Sequence, residues 1–345
     1  MAVKKSGGAK PKKTATGSSS SKKFAFFFNF ARCTIVYMLA LYGLHTFLQK
    51  HVDAYRSFSK NHYKKISQTA VSAGEQLAPY PTVTIKNRTD LEKTPYDNLA
   101  LGVPCFDCDI ILDRKGYALG NSEKYEQPLW VSYKLTAEEV KSKKARRSGD
   151  FRSDPDIPTL SAEPDDYKRS FFDRGHLAPA ADMSFSLQTM SESFYMSNMS
   201  PQRPEFNRGI WKNLEENVRN FALGCGSVYV VTGPVFEKNL PCITIGKNKV
   251  AVPDKYYKVI LDANAANPKA IGFIIPNSDI KADLANFAVT VDAVENITGL
   301  DFFTVLNNAD EAKLESSCDY SVWERLLPAK DKTAKKNKSR RRSKK

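Results

Sequence analysis

The sequence predicts an α+β fold, preceded by one membrane-spanning segment. Three observations carry this expectation. Apolar runs bounded by turn residues dominate after the midpoint: "GSVYVVTGPVF", "ITIGKNKVAVP", "YYKVILDA" and "KAIGFIIPN", which read as strands. Stretches at 132–145, 205–222 and 281–296 carry helical spacing. The segment Cys33 to Leu48 holds 16 residues without Lys, Arg, Asp or Glu. No internal repeat divides the chain.

In chain order, residues 1–23 are rich in Lys, Gly, Ser and Thr and read as a disordered basic segment. Sixteen helical residues span roughly 24 Å, short of a bilayer core of about 30 Å. Adding Phe24–Ala31 brings the run to 25 residues, with Arg32 able to snorkel toward the basic end. Residues 24–49 therefore read as a transmembrane anchor. The lack of acids in the first 52 residues keeps a cleaved targeting segment as the alternative. Lysines ahead of the run place the N-terminus on the cytoplasmic or matrix side and the body across the membrane. Residues 50–85 read as a stalk and linker: Val52, Tyr55, Phe58, Ile66 and Ala70 recur at near-helical spacing until "APYPTVTIKNRTD" breaks it. The globular domain is expected over 86–328 and a solvated basic tail over 329–345.

The net charge of +14 belongs to the ends. Of 52 bases and 38 acids, the two termini take 19 and one, which leaves 33 and 37 for residues 53–328. A basic isoelectric point is thus no argument that the folded body binds nucleic acid. Cys105 and Cys108 form a C-x-x-C, but no second close pair exists to complete a four-thiolate zinc site. The pair precedes strand-like sequence instead of a helix, so a small disulfide loop or two free thiols is expected.

The stretch "FFDRGHLAPAADM" (171–183) concentrates chemistry. Of the four histidines, His45, His51 and His62 lie in or just after the apolar run, so His176 alone is available to a folded domain. Asp173 and Arg174 can lock a strand end, and Gly175 permits a close backbone approach. A helix is expected to start near Pro204, because proline is tolerated in a first turn. Ile210, Trp211, Leu214, Val218 and Phe221 define its buried stripe, with Asn207 in the middle of that stripe and Glu215 on its edge. A carboxamide there needs a partner, since leaving one unpaired costs about 1–3 kcal/mol. A helix-entry Asn bonding its own backbone is the plainer reading. Asn198, Pro201 and Gln202 form a second polar knot, explained equally by buried turn amides or by a site.

Taken together these residues resemble one family. Asp173-Arg174-Gly175-His176, then Ser197-Asn198, Pro201-Gln202, and Asn207-x-Gly209-x-Trp211-x-x-Leu214-Glu215 follow the pattern of the DNA/RNA non-specific endonucleases, endonuclease G among them. The likeness extends through "WVSYKL", "RRSGDFRSDP", "VYVVTGPVF", "IGKNKVAVPDKYYKVIL" and "ITGLDFF", covering about 100–305. It implies a ββα-metal finger set against a central, mainly antiparallel sheet flanked by helices. It implies a catalytic set of His176, Arg147, Asn198 and Glu215. His176 would be the general base and Asn198 a site-supporting amide. Asn207 would be the direct protein ligand of Mg²⁺, with Mn²⁺ as a substitute, and Glu215 would hold the ion through water. Arg147, Arg174 and Arg219 would contact nucleic acid, with Arg146 and Arg152 as alternatives to Arg147. DNA and RNA would be cut to 5′-phosphate and 3′-hydroxyl ends, and a homodimer is an open expectation because family members often form one.

The chemistry is consistent with those roles. A base with a pKa near 6.5–7 is well placed to take a proton from water. A hard dication neutralises charge developing on phosphate, and arginines grip phosphate bidentately. Contacts to backbone alone carry no base specificity. Two other readings remain open: an inactive nucleic-acid-binding module tethered to a membrane, and a structural membrane protein whose basic ends bind anionic lipid. The mitochondrial inner membrane facing the intermembrane space and a bacterial inner membrane facing the periplasm both fit the topology.

Overall fold

The computed structural model describes residues 81–159, 162–237, 242–263 and 268–328. The predicted basic segment, the membrane span at 24–49, most of the stalk and the basic tail lie outside these residues. Among the described residues no helix is long and apolar enough to cross a membrane.

Eight strands form one sheet in the order β1-β2-β3-β4-β7-β10-β11-β12, every neighbouring pair antiparallel. They are β1 (Val83–Ile85), β2 (Ile110–Asp113), β3 (Ala118–Ser122), β4 (Gln127–Thr136), β7 (Ser227–Val235), β10 (Lys255–Asp262), β11 (Lys269–Pro276) and β12 (Ala288–Val289). The sheet takes in Val83–Ile85, which the sequence reading left to the linker. Two short ladders stand apart: β5 (Asp173–His176) with β6 (Met199–Gln202), and β8 (Thr244–Ile245) with β9 (Val250–Ala251).

Both faces of the sheet are covered, which is why its strands read as continuous apolar runs. Along β10, Tyr256 and Ile260 point into one core with Phe206, Trp211, Leu214 and Val218. Tyr257, Val259 and Leu261 point into the other, with Val291, Val294 and Leu314. The two cores are separated by the sheet itself.

The helical expectation at 132–145 is corrected. Residues 127–136 are the long central strand β4, and only α1 (Ala137–Lys141) is helical. Thr136 and Glu139 form a reciprocal capping box at the switch point, a signature visible as T-A-E-E. The error comes from a helix-forming "TAEEVK" running on from "LWVSYKL", whose aromatic and β-branched residues pack on both faces. At 281–296 a turn at Leu284–Phe287 and edge strand β12 come first, and the helix spans Val291–Thr298. Gly299, at φ 76°, ends that helix in the left-handed region. Cys105, Cys108, Cys225, Cys242 and Cys318 are all free thiols. Burial pushes the Cys108 thiol up to about 12, so little of it is thiolate at neutral pH.

One buried charge anchors the loop before β5. Arg114, 1% exposed, donates through Nη2 to both Asp154 oxygens at 2.8 Å and lies over the Tyr195 ring. Removing one partner of a buried pair strands the other charge. Asp154→Ala is therefore expected to lower stability by about 3–5 kcal/mol in urea unfolding, and a loss below 1 kcal/mol would show that Asp156 alone satisfies Arg114.

Candidate active site

The strands β5 and β6 pair with Asp173 opposite Gln202 and His176 opposite Met199. Gly175 lies directly over the Gln202 side chain, where a Cβ would sit 2.1 Å from its carboxamide carbon, so any larger residue would have to displace that buried amide. From β6 the chain turns into a helix opened by Pro204. The result is a strand–strand–helix unit whose helix buries its apolar stripe against β10.

That helix is not uniform. A first α turn (Pro204–Phe206) passes through a π turn (Asn207–Trp211) before α3 (Lys212–Cys225) begins, α2 being Leu187–Glu192. Gly209 takes non-helical angles within the π turn. The extra residue per turn rotates Asn207 out of the middle of the buried stripe, where ideal α spacing placed it, to a half-buried position at the helix start. There its Nδ2 donates to Asp173 Oδ2 at 2.9 Å. A carboxylate only accepts, so the amide nitrogen must face Asp173 and the amide oxygen must face away. Arg208 grips the same carboxylate through Nε at 2.8 Å and Nη2 at 2.6 Å, which fixes its orientation.

His176 is 8% exposed and stands edge-on to Phe194 (ring centroids 4.8 Å apart) and Phe151 (5.7 Å). Its Nε2 is buried and has no hydrogen-bond partner. Burial, and then the nearby Arg147 guanidinium, push the imidazole down to about 3, so it is neutral at pH 7. Arg147 lies 5.0 Å from the Phe194 centroid and Arg174 lies 4.2 Å from the Phe151 centroid. The aromatic walls of the histidine thus carry two cations on their faces. Arg152 is occupied elsewhere, bonded to Asp150 and Ser191 and stacked on Tyr195, which leaves Arg147 as the arginine beside the imidazole.

Asn198 is fully buried and satisfied. Its oxygen accepts from Ala178 N at 2.9 Å, and its nitrogen donates to Ala178 O and Ser193 O at 3.0 and 2.9 Å. It clamps the turn that follows His176 to the end of α2. Glu215 lies on α3 among Lys258, Asp182, Arg219 and Arg147; burial raises its carboxyl above the ordinary range. Lys258 is wholly buried, with Nζ unpaired 4.7 Å from the Trp211 ring, and burial lowers its ammonium. Arg219 donates to Asp182 Oδ1 at 2.8 Å, and Asp182 also accepts from the Tyr133 hydroxyl. Arg219 is therefore engaged in an ion pair within the protein.

His176, Arg147, Arg174 and Phe194 are thus gathered around one point, with Asn207 held across β5 by Asp173. Glu215 and Arg219 form the adjoining charged network. Sequence reasoning missed Asp182, Lys258 and the walls Phe151 and Phe194. A lysine inside the apolar run "YYKVIL" was the available signal for Lys258. The donor set suits a hard divalent ion: a neutral amide oxygen turned outward, no thiolate and no further imidazole.

A family model described as DNA/RNA non-specific endonuclease matches residues 95–309. The chain is 38% identical over 210 residues to Nuclease C1 of Cunninghamella echinulata var. echinulata, covering 57% of this chain and 83% of that one. It is 36% identical over 204 residues to the mitochondrial Nuclease EXOG of Danio rerio, covering 55% of this chain and 60% of that protein's length. A crystal structure of the EndoG/EndoGI complex superimposes with a TM-score of 0.58 at 34% identity, covering 62% of this chain and 93% of that one. The antiparallel sheet, its flanking helices and the strand–strand–helix unit are thus those of an endonuclease G-like α+β fold. The match to the family model runs across more than half the chain, and the chain belongs to the DNA/RNA non-specific endonucleases, enzymes that hydrolyse phosphodiester bonds.

Proposed function

We propose that the protein cuts DNA and RNA with His176 as general base and one divalent ion, Mg²⁺, held by Asn207 Oδ1, leaving 5′-phosphate and 3′-hydroxyl ends. The observation that carries this reading is the buried, unpartnered Nε2 of a neutral imidazole, set between two aromatic rings that bear arginines on their faces. A neutral imidazole at pH 7 is free to take a proton from water. Its basicity is low because the ring is buried and, secondarily, because Arg147 is unopposed. An anionic phosphodiester bound beside Arg147 offsets that charge and raises the imidazole's proton affinity when substrate is present.

The strand–strand–helix unit then works as a ββα-metal finger. Asp173 orients Asn207, Arg208 fixes Asp173, and Asn198 braces the turn behind His176. Bound Mg²⁺ supplies Lewis-acid neutralisation of charge on the phosphate and on the departing 3′ oxygen. Glu215, set among Lys258, Asp182, Arg219 and Arg147, would hold a water of the bound ion. Arg147 and Arg174 grip phosphate. Arg219 orders Asp182 and the Glu215 network and reaches substrate only by leaving that pair. Contacts to phosphate and sugar alone leave the base sequence unread, so both nucleic acids are substrates.

The test uses the full chain with supercoiled plasmid and with RNA, in Mg²⁺ and in chelator. Metal-dependent loss of both substrates is expected, and the DNA fragments should be ligatable without prior phosphorylation. Folded protein that binds nucleic acid and never cuts it would favour the inactive binding module. Asp173→Ala is expected to cost about 10–100-fold in activity, as for other residues that orient a metal ligand, with much of the loss recovered at higher Mg²⁺. A loss that Mg²⁺ does not touch would place Asp173 outside the metal's support. For location, we propose mitochondria with residues 24–49 as anchor or targeting segment, on the support of the mitochondrial relative and the basic, acid-free start. Alkaline extraction of the organelle separates the two: an anchored chain stays with the membrane, and a processed one is released.

A further inference from the structure

The second core, across the sheet from His176 and Asn207, carries a separate set of acids. Helix α4 (Val291–Thr298) and α5 (Asn308–Glu315) pack on that face through Val291, Val294 and Leu314. Where they meet, ligand atoms of Asp292, Glu295 and Glu315 lie within 4.8 Å of one another, and so do those of Asp301, Glu311 and Glu315. Four carboxylates from two helices and their connection therefore meet Glu315, which belongs to both triads.

Crowded acids at a surface are common and need no ion. Glu315 is different. It is 6% exposed, its Oε1 is buried with no hydrogen-bond partner, and its carboxylate belongs to both triads. Glu295 is already fixed, accepting from Phe302 N at 2.8 Å. Among the described residues no Lys or Arg pairs with any of the five. A buried carboxylate oxygen facing four more acids, with no donor and no cation, is an arrangement that water-excluded protein avoids. A divalent cation supplies the missing partner.

We infer that the two triads that share Glu315, Asp292 and Glu295 on one side and Asp301 and Glu311 on the other, bind Ca²⁺ and tie α4, α5 and the chain between them together. The choice of ion follows from the ligands. All are hard oxygens, there is no imidazole or thiolate, and carboxylates from several directions suit the six to eight flexible contacts that Ca²⁺ takes. Mg²⁺ keeps most of its waters and uses one or two carboxylates. The rival account is a Glu315 carboxyl that stays protonated, since burial and the surrounding acids push it up to about 8. The site is structural and distinct from the one proposed at Asn207.

The experiment titrates CaCl₂ into the full chain after chelation and dialysis, reading heat of binding and Tm. At a hundredfold excess over Kd, Tm should rise by roughly 5–10 °C. Asn207→Ala should show the same rise. Glu315→Gln, which keeps shape and removes charge, should abolish it without lowering Tm in chelator. Asp301→Asn, at an exposed position, should weaken Ca²⁺ binding on the order of tenfold. No rise in the wild-type chain, a rise that survives Glu315→Gln, or one that vanishes in Asn207→Ala would each overturn the assignment, the last by placing the ion in the active site.

Discussion

Replacing His176 with alanine is expected to lower kcat on both DNA and RNA by about 10²–10⁴-fold while the fold persists. The imidazole sits at the end of a short ladder and packs edge-on against Phe151 and Phe194, so truncation leaves a small void and costs about 1–3 kcal/mol. The same variant has a second readout that packing alone cannot move. In the folded protein the imidazole titrates at about 3, against 6.5 when exposed. Between those values the unfolded chain holds one more proton at this position than the folded chain. Stability therefore falls as pH falls from 6.5 toward 3, by about 1.4 kcal/mol per unit, and is independent of this group above 6.5. His176→Ala should be less stable than wild type at pH 7 and should narrow that gap in urea unfolding at pH 4.5. Equal acid sensitivity in the two proteins would show that His176 is solvated, and full activity in the variant would remove it from the chemistry.

Much of this was legible in the sequence, for physical reasons that can be named. Strands β7, β10 and β11 were readable because a sheet covered on both faces demands apolar side chains at most positions. The strand–helix order of the finger was readable because Asp173-Arg174-Gly175-His176 and the Pro204 helix start are local signals. β4 was misread because burial of both faces masks the alternation that marks a strand, and because a strong helix former follows it without a break. Asn207 was placed in the buried stripe because ideal α spacing was assumed, and a π turn is invisible to a fixed 100° periodicity. The partnership of Asp173 with Asn207 joins residues 34 positions apart and follows from the ladder register. The network of Asp182, Arg219, Lys258 and Glu215 joins three elements that only the folded sheet brings together.

Asn207→Ala is expected to cost as much as the loss of the base, on the order of 10²–10³-fold or more at fixed Mg²⁺. Neutralising transition-state charge with a dication is worth several kcal/mol, and each 1.36 kcal/mol is tenfold in rate. Within the proposed site Asn207 is the one side chain that meets the ion directly, so no neighbour takes its place. The informative comparison is Asn207→Asp. That change keeps size and adds a charge that should attract a cation. It also replaces the donated Nδ2–H with an oxygen facing Asp173 Oδ2, at a distance that is now 2.9 Å. Two carboxylates so close repel, so one must take a proton or swing away. If orientation by Asp173 is what makes Asn207 a ligand, Asn207→Asp rescues little of the activity at any Mg²⁺ concentration, and Asn207→Asp combined with Asp173→Asn rescues more. If charge at the metal were all that mattered, the single aspartate would match or exceed the wild-type amide. Activity measured against Mg²⁺ concentration in the four proteins separates these cases: only the first predicts that a carboxylate at 207 works when its partner at 173 can donate.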